Sequence, residues 1–438
     1  MKIKATTKSY KDVTSIKIPE HKKPKRPSFL LRSLINVIAF FDLKKAHFTT
    51  TGELPSKKDG PYLVLMNHSS FIDLEIAEKI MYPRPVSIVC SYDALVGKNM
   101  LMRHIGCIPT RKFVNDIALI RDMKYSLGRG YNVLMFPEAG YSFDGTATAM
   151  PKIAKLVKLL GVPVVMVKTS GAFTMDPLYN GLRVRDVPVS ADISTLFTAD
   201  DVKNMPTEEM DEAIKSAFTF DAFRWQRDNK ISVTSPERAV GLEKVLYRCP
   251  ACGKEGAMKS EGDHIFCSDC GKTYVLEEFG NLRATEGVTE FDHIPDWYEW
   301  ERQTVREEIL REEYHLDVPV KISMMNDFKI LYNVGEGRLT HTASGFRLVG
   351  CGGELDYVQK ALFSHTVNSD FFWYELGDIV SIGDTNALYY CFPKVDIPVA
   401  KVRLAAEELH KLHQDKEFRK THCDECQTCV PKCEFATI

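Results

Sequence analysis

The sequence predicts a layered α/β domain followed by a small cysteine-rich module and a mainly β region. Three observations support this fold class. Short apolar runs alternate with amphipathic stretches from about Pro61 to Val189, as strands packed between helices do. Two Cys-x-x-Cys pairs then fall within residues 248–278. Beyond residue 320, short strand-like runs alternate with Gly-containing turns, which indicates a small antiparallel sheet or barrel.

The 438 residues divide into six segments by composition. They are a basic arm with an interfacial helix (1–60), the α/β domain (61–247), the cysteine module (248–278), a helical linker (279–319), the β-rich domain with a closing helix (320–414) and a Cys-rich tail (415–438).

The N-terminal segment is basic and then apolar. Nine lysines and arginines precede residue 27 against two acids, although the whole chain has a formal net charge of -2. A basic arm of this kind favours an anionic membrane surface, and the alternative is a solvated tail. Phe29–Phe41 is too short to span a bilayer and contains Arg32, so an interfacial helix or a core-packed helix is expected. With no secretory signal, we expect a cytoplasmic protein peripherally associated with the membrane.

The α/β domain has an apolar run for each predicted strand. The predicted strands are Tyr62–Met66, Val86–Val89, Asn132–Phe136 and Val162–Val167. The predicted helices are Leu74–Met81, Asn115–Leu127, Lys152–Leu160 and Thr207–Trp225.

A histidine and an aspartate follow the first of these strands. His68 comes directly after the apolar run, and Asp73 stands five positions later. Residues five apart on a regular helix point about 140° away from each other. The pair therefore makes sense only if His68 lies in a turn and Asp73 in the first turn of the following helix. A carboxylate that accepts one imidazole N–H leaves the other ring nitrogen free to take a proton from an alcohol.

Three further blocks follow in order. They are Gly106-Cys-Ile-Pro-Thr-Arg111, Phe136-Pro-Glu-Ala-Gly140 and Val162-Pro-Val-Val165. Together with the His68 block, their order and spacing resemble the glycerolipid acyltransferase family, which includes lysophosphatidate acyltransferases. The resemblance covers roughly Pro61 to Val167.

The resemblance implies an enzyme that transfers a fatty acyl chain from a thioester, acyl-CoA or acyl-acyl carrier protein, to a lysophospholipid hydroxyl. The acceptor that it implies is 1-acylglycerol-3-phosphate. By position, His68 resembles the general base, Asp73 its orienting carboxylate and Arg111 the arginine that holds the acceptor phosphate. Glu138 and Gly140 resemble residues linked to acceptor binding. Acyl carrier protein is a further candidate partner.

The third block departs from the family pattern. The usual glycine after the glutamate is Ala139, and Gly140 comes one place later. Tyr141, Ser142 and Phe143 replace the residues that usually follow. The reaction is expected to be kept, while the head group of the acceptor is left open.

The cysteine module reads as a zinc ribbon. Cys249, Cys252, Cys267 and Cys270 form two knuckles, each followed by a glycine, and the gap between the knuckles falls just below the usual range. A tetrahedral zinc site of this type is structural rather than catalytic. The tail has a second set with the spacing of an iron–sulfur run, for which zinc or adventitious metal is an equal alternative. Its members are Cys423, Cys426, Cys429 and Cys433.

The C-terminal pattern predicts a pleckstrin-homology-like barrel closed by a helix over Leu404–His413. Its predicted strands are Phe328–Asn333, Phe346–Val349, Phe371–Leu376 and Ala387–Phe392.

Two other classes of function were weighed against the enzyme. One is an acyltransferase-fold protein that has become a lipid-binding or scaffold module, which the altered third block leaves open. The other is a zinc-ribbon adaptor for nucleic acid, but residues 248–274 carry no basic stripe, so no nucleic acid is expected. A serine esterase and a nucleotide-binding fold are disfavoured because Gly-x-Ser-x-Gly, Walker A and Gly-x-Gly-x-x-Gly motifs are absent from the sequence.

Overall fold

A computed structural model of the chain describes residues 3–17, 20–114, 116–327 and 329–422. The four cysteines of the tail lie outside the described residues. Within the described ranges the chain forms a seven-stranded sheet, a four-stranded sheet and an eight-stranded sheet.

The first strand and helix of the described residues pack against the C-terminal β region. The N-terminal elements are strand β1 (Ala5–Thr7), helix α1 (Tyr10–Thr14) and helix α2 (Phe29–Lys45). Strand β1 pairs in parallel with a strand of the C-terminal sheet, with Ala5 opposite Leu331. Val13 is fully buried in the core of that region. Residues 5–14 are therefore packed on the β region rather than forming a solvated tail.

The α/β domain follows, and its elements alternate as the sequence predicts. Its strands are β2 (Thr49–Gly52), β3 (Leu63–Met66), β4 (Val86–Ser91), β5 (Cys107–Thr110), β6 (Asn132–Met135), β7 (Val164–Ser170) and β8 (Ser190–Phe197). Its helices are α3 (Ile72–Met81), α4 (Asn99–His104), α5 (Ile117–Gly128), α6 (Ala154–Leu160), α7 (Ala172–Met175), α8 (Ala199–Asn204), α9 (Thr207–Phe218) and α10 (Ala222–Asp228).

The strand order in this sheet is β2-β8-β7-β3-β6-β4-β5. Strands β3 to β7 are parallel to one another, and β8 runs antiparallel to β7. All four residues of β3 are buried, because helices cover both faces of a parallel sheet. The carboxyl ends of β3, β6, β4 and β5 consequently meet at one edge.

One predicted helix of this domain is two helices. The stretch Thr207–Trp225 breaks between α9 and α10, where Asp221 caps α10 by accepting a hydrogen bond from the Arg224 N–H. The Asp221 carboxylate also bonds His293, 72 positions away. A long-range contact thus sets the break, which the local helical pattern could not reveal.

Helix α2 has one packed face and one exposed face. Ala39 and Leu43 are buried, and Arg32 is buried too, with its Nε 3.0 Å from a carboxylate oxygen of Glu78 on α3. The opposite face carries seven large apolar side chains, each at least half exposed. They are Phe29, Leu30, Leu34, Val37, Ile38, Phe40 and Phe41. Among the helices of the described residues, none combines the length and apolar composition needed to cross a bilayer.

The cysteine module is a small antiparallel sheet. Its strands are β9 (Met258–Glu261), β10 (His264–Cys267), β11 (Thr273–Leu276) and β12 (Leu282–Ala284). Helix α11 (Ile294–Leu310) follows, in agreement with the helical linker of the sequence.

The C-terminal region is mainly β, as predicted. Its elements are β13 (Leu316–Met324), β14 (Leu331–Thr342), β15 (Gly345–Gly350), β16 (Leu355–Lys360), β17 (Asn368–Asp370), β18 (Ile379–Gly383), β19 (Leu388–Pro393), α12 (Val399–Leu412) and α13 (Lys416–His422). The four-strand meander β13–β16 and the three-strand meander β17–β19 join through β13 and β19, and α12 packs on them. The pleckstrin-homology-like identity stays a prediction.

The strand predicted at Phe371–Leu376 is wrong. This segment is a tight turn in which Phe372, Tyr374 and Glu375 have positive φ. The Asp378 carboxylate accepts the Phe372 N–H at 2.9 Å, and the Trp373 ring is buried against Tyr390. Side-chain contacts hold this turn against the strand preference of its aromatic residues.

We predict that the buried pair between Arg32 and Glu78 fixes α2 to α3. Arg32→Ala leaves the Glu78 carboxylate without its partner, which should cost about 3 kcal/mol of unfolding free energy. Burial raises the pKa of Glu78, so the carboxyl takes up a proton readily once the arginine is gone. The difference in stability between variant and wild type should therefore be smaller at pH 5 than at pH 8.

Chemical denaturation at the two pH values measures this difference. Arg311→Ala is the control, because Arg311 pairs only with half-exposed carboxylates and should cost under about 1 kcal/mol. Equal losses for Arg32→Ala and Arg311→Ala would contradict the assignment.

Candidate active site

The side chains that carry the predicted chemistry stand at one edge of the seven-stranded sheet. His68 follows β3, Glu138 follows β6 and Arg111 follows β5, and these strands are parallel. In open α/β sheets, ligands bind at the carboxyl ends of the strands. The fold thus places three predicted residues on the expected side of the sheet.

His68 and Asp73 are in contact. The imidazole Nδ1 lies 3.1 Å from Asp73 Oδ2, and Asp73 is the second residue of α3. The same carboxylate oxygen accepts the backbone N–H groups of Ser69 and Ser70 at 2.7 and 2.9 Å. Asp73 is fully buried, whereas 19% of the His68 side chain is exposed. If Nδ1 donates its proton to Asp73, Nε2 is the ring nitrogen left to act as a base.

A second pair fixes the turn to the neighbouring strand. Asn67 Oδ1 accepts the N–H and the hydroxyl of Thr169 on β7 at 2.7 and 3.1 Å. Asn67 Nδ2 donates in return to the Thr169 carbonyl at 3.1 Å. The Thr169 hydroxyl also lies 3.4 Å from Asp73 Oδ1. The position of His68 is therefore set from both sides by buried hydrogen bonds.

Glu138 is a buried side chain that accepts hydrogen bonds from the backbone of the active site. Its carboxylate accepts the His68 backbone N–H at 2.8 Å and the Thr148 N–H at 2.9 Å. The side chain is buried, and burial raises its pKa to about 7. Because both oxygens already have protein partners, the geometry supports a positioning role. Direct contact of Glu138 with the acceptor stays a prediction.

Ala139 occupies the backbone position that a glycine holds in the family pattern. Its φ is 54°, in the left-handed region where glycine is favoured. The alanine thus keeps the turn that places Glu138, at a cost of about 1 kcal/mol. Gly140 follows, and a Cβ added there would meet no atom within 4 Å.

Two aromatic rings enclose the imidazole. The centroid of Phe136 lies 4.2 Å from that of His68, and the centroid of Tyr141 lies at 4.5 Å. Tyr141 belongs to the altered third block, and its carbonyl accepts a hydrogen bond from Arg403 on α12 at 3.2 Å. The departure from the family pattern is thus the segment that joins the active site to the β region.

Arg111 lies farther from His68 than the other candidates. Its guanidinium stands 4.9 Å from the centroid of the Tyr92 ring, which follows β4. Strand β5 is three strands away from β3, which corresponds to about 14 Å between their ends. Among the described residues, no hydrogen bond or ring contact joins Arg111 to His68. The contact of Arg111 with the acceptor phosphate stays a prediction.

Asp176 is a buried neighbour that the sequence did not single out. It follows α7, and its partner is the Ser70 hydroxyl beside Asp73. Burial raises the pKa of Asp176 to about 7, and its Oδ1 has no hydrogen-bond partner among the described residues. No sequence signal could have identified it, because more than 100 positions separate it from the His68 turn.

The four cysteines of the module converge on one point. Cys249 and Cys270 have their sulfurs 3.7 Å apart, Cys252 and Cys267 are at 3.8 Å, and all four sulfurs lie within 4.8 Å of one another. Four sulfurs at about 2.3 Å from a tetrahedral zinc stand about 3.8 Å apart, so the residues fit this metal.

Both knuckles use the same turn. Gly253 donates its N–H to the Cys249 carbonyl and Gly271 donates to the Cys267 carbonyl, each with positive φ. Backbone N–H groups of Lys254 and Lys272 point to the sulfurs of Cys252 and Cys270. The cluster is remote from the His68 turn in sequence, and the spacing of the cysteines predicted their convergence.

One comparison with known proteins gives a family match for part of the α/β domain. Residues 47–170 match the protein-family model described as Acyltransferase. This segment is therefore an acyltransferase domain, in agreement with the acyltransferase family that the four blocks resemble.

Among solved structures, the chain is similar to the 1-acyl-sn-glycerophosphate (LPA) acyltransferase PlsC from Thermotoga maritima. The identity is 17% and the TM-score 0.37, and the match covers 43% of this chain and 76% of that chain. No curated protein matches the chain.

We predict that purified protein contains zinc at the four-cysteine cluster. Replacing Cys249 and Cys267 together by Ser should lower the zinc content by one atom per chain and destabilise the module, because metal binding and folding are coupled there. Elemental analysis and thermal unfolding measure the two effects. Cys351→Ser is the control and should keep the metal. Unchanged zinc in the double variant would rule this cluster out as the metal site.

Proposed function

We propose that the protein transfers a fatty acyl chain from a thioester donor to the hydroxyl of a lysophospholipid at a membrane surface. The single observation that carries the proposal is the buried Asp73, which orients the partly exposed His68 imidazole within a segment that matches the acyltransferase family model. The donor class is acyl-CoA or acyl-acyl carrier protein. The acceptor that the family resemblance implies is 1-acylglycerol-3-phosphate.

The reaction follows from the geometry of the dyad. His68 Nε2 takes the proton of the acceptor hydroxyl as its oxygen attacks the thioester carbonyl. Asp73 stabilises the imidazolium that forms and keeps the ring in place. The tetrahedral intermediate then collapses, the C–S bond breaks, and the thiolate receives the proton from the imidazolium. The products are the acylated lipid and the free thiol, with no acyl-enzyme.

A scaffold protein without catalysis is the less favoured candidate. Loss of function would be expected to relax the hydrogen bonds around the dyad, because an unused buried carboxylate is costly. Here Asp73 accepts from three donors and Asn67 and Thr169 remain paired.

His68→Ala is expected to lower acyl transfer by roughly two to four decades, because the proton transfer in the transition state is lost. Asp73→Asn should be severely impaired as well, since an amide cannot accept from the imidazole and both backbone N–H groups in the same way. Transfer of labelled acyl chains to a panel of lysolipids measures the rate. The exposed His315 gives the control His315→Ala, which should keep wild-type activity. A His68→Ala protein as active as this control would remove His68 from the mechanism.

Docking on lipid is supported by the exposed apolar face of α2. Phe71, half exposed at the start of α3, is a further exposed apolar side chain, and its ring lies 6.0 Å from that of Tyr141. Basic residues Lys22, Lys23, Lys25 and Arg26 precede the helix, and each cation near an anionic surface contributes about 1 kcal/mol.

Deleting everything before Pro61 would not test docking cleanly. The deletion also removes β1, buried Val13 and the partner of Glu78, so the protein would lose packing as well as the surface. Substitutions on the exposed face avoid this difficulty.

We expect Leu34→Glu combined with Val37→Glu to weaken binding to anionic phosphatidylglycerol vesicles and to slow turnover on them. Burial of two apolar side chains in the interface is lost and two negative charges are added. Sedimentation with vesicles at rising salt gives the measurement, and activity on a short-chain soluble acceptor should change little. Val184→Glu, on a side chain as exposed, is the control. Undiminished pelleting of the double variant would place docking elsewhere.

A further inference from the structure

Tyr141 places a phenol hydroxyl beside the reacting imidazole. The centroid of its ring lies 4.5 Å from that of His68, and the two ring planes are inclined by 55°. The same ring meets the half-exposed Phe71 edge-on, with 6.0 Å between the centroids. The hydroxyl oxygen is one covalent bond beyond a ring that contacts His68, so it belongs to the immediate surroundings of the dyad.

The Tyr141 hydroxyl has no hydrogen-bond partner within the part of the chain that the structure describes. It is not sealed inside the protein either. The side chain is partly exposed, and the hydroxyl is not among the fully buried polar atoms that lack a partner. Open space also lies beside the neighbouring Gly140, where an added Cβ would meet no atom within 4 Å. A donor in this situation is free to form a hydrogen bond with a bound substrate.

The hydroxyl keeps its proton at neutral pH. Burial raises the pKa of Tyr141 well above its ordinary value, and the nearby carboxylates of Asp73 and Asp176 raise it further. The group therefore acts as a hydrogen-bond donor and not as a second base beside His68.

The backbone that carries the Tyr141 ring is fixed by contacts on its C-terminal side. The Tyr141 carbonyl accepts a hydrogen bond from Arg403 at 3.2 Å. In the turn that follows, the Gly145 N–H donates to the Ser142 hydroxyl oxygen at 2.9 Å, and the Ser142 hydroxyl lies 3.3 Å from Asp144. A donor that is held in place before the substrate binds stabilises a developing charge without a cost of rearrangement.

The proposed reaction requires a donor close to the imidazole. Attack on the thioester places negative charge on the carbonyl oxygen. The attacking oxygen must come within about 2.6–3.2 Å of His68 Nε2 to give up its proton, and the carbonyl carbon starts at about 3–3.5 Å from that oxygen. The charge therefore develops near the imidazole, as the Tyr141 hydroxyl does lie. Neither member of the dyad can donate to it, because Nε2 takes the acceptor proton and Asp73 is a carboxylate.

We propose that Tyr141 is a further catalytic residue, whose hydroxyl donates a hydrogen bond to the oxygen of the thioester carbonyl and stabilises the charge that forms there. The inference rests on the proposed acyl transfer and deepens it. Tyr141 forms no covalent bond and keeps its proton throughout. When the C–S bond breaks, the carbonyl of the product ester is restored and the hydrogen bond weakens. Because the hydroxyl binds the acyl donor, it serves attack by a lysolipid or by water equally.

Tyr141→Phe tests the proposal on the full chain, because it removes the hydroxyl and keeps the ring on His68. We expect kcat for acyl transfer to fall about a hundredfold, since one donor to the transition state is lost. The KM values of donor and acceptor should change by less than about twofold, as expected for a bond that matters mainly in the transition state. Slow hydrolysis of the thioester by water, measured as thiol release without a lysolipid, should fall by the same factor.

Tyr131→Phe is the matched control. Tyr131 directly precedes β6, at the opposite edge of the sheet from the active site, and its hydroxyl is paired with Arg129. This variant should keep both rates, and thermal unfolding checks that both proteins are folded. Full activity of Tyr141→Phe would show that only the ring matters and would overturn the proposal. A rise in acceptor KM at unchanged kcat would place the hydroxyl on the head group and would overturn it as well.

Infrared spectroscopy gives a measurement that does not depend on turnover. In the inactive His68→Asn protein, the probe is a bound acyl thioester labelled with ¹³C at its carbonyl, made from coenzyme A or acyl carrier protein according to which donor wild type consumes. Its carbonyl stretch should lie at lower frequency than in the double variant His68→Asn with Tyr141→Phe. Equal frequencies would refute the inference and leave the proposed function standing. Thioester hydrolysis that depends on Tyr141, without acyl transfer to any lysolipid, would refute the proposed function and support the inference.

Discussion

The structure of the active site depends on one buried carboxylate. Asp73 has no exposed surface, and a charge in such a place is tolerated only when hydrogen bonds replace water. Three of its donors, those on Oδ2, come from His68, Ser69 and Ser70, so the chain between β3 and α3 must fold into one specific turn. Strands on both sides of β3 hold that turn, through Glu138 after β6 and Thr169 on β7. The strand order of the sheet therefore helps to fix the orientation of the imidazole, because the strands on both sides of β3 hold the turn that carries it.

The segment after Glu138 connects the active site to the β region. Tyr141 contacts the imidazole, its carbonyl accepts from Arg403, and the Phe143 ring lies between Arg403 and Phe371. Tyr141 and Phe143 are only two positions apart in the chain. The Tyr141 ring contacts His68, and the Phe143 ring contacts Phe371 of the β region. The β region is built against the active site, and the altered third block is the joint between them.

The N-terminal elements also contact distant parts of the chain. Strand β1 pairs with β14, more than 300 positions later. Helix α2 packs one face against α3, and its other face is apolar and exposed. Arg32 explains how a charged residue fits an apolar helix, since its guanidinium is buried against Glu78 and the Arg84 carbonyl. The core-packed interpretation describes the buried face of α2, and the interfacial interpretation stays a proposal for its exposed face.

Features whose partners are close in sequence were determined by the sequence alone. The strand and helix segments of the α/β domain, the contact between His68 and Asp73, and the turn of each cysteine knuckle follow from spacing within a few residues, because local backbone geometry fixes where such neighbours can meet. The ring of Tyr141 on His68, the buried Asp176, the turn at Phe371–Leu376 and the pairing of Ala5 with Leu331 were decided only by the tertiary structure. Each joins residues far apart in the chain, and nothing in their local pattern specifies the partner. Packing energy selects such contacts only when the whole chain has folded.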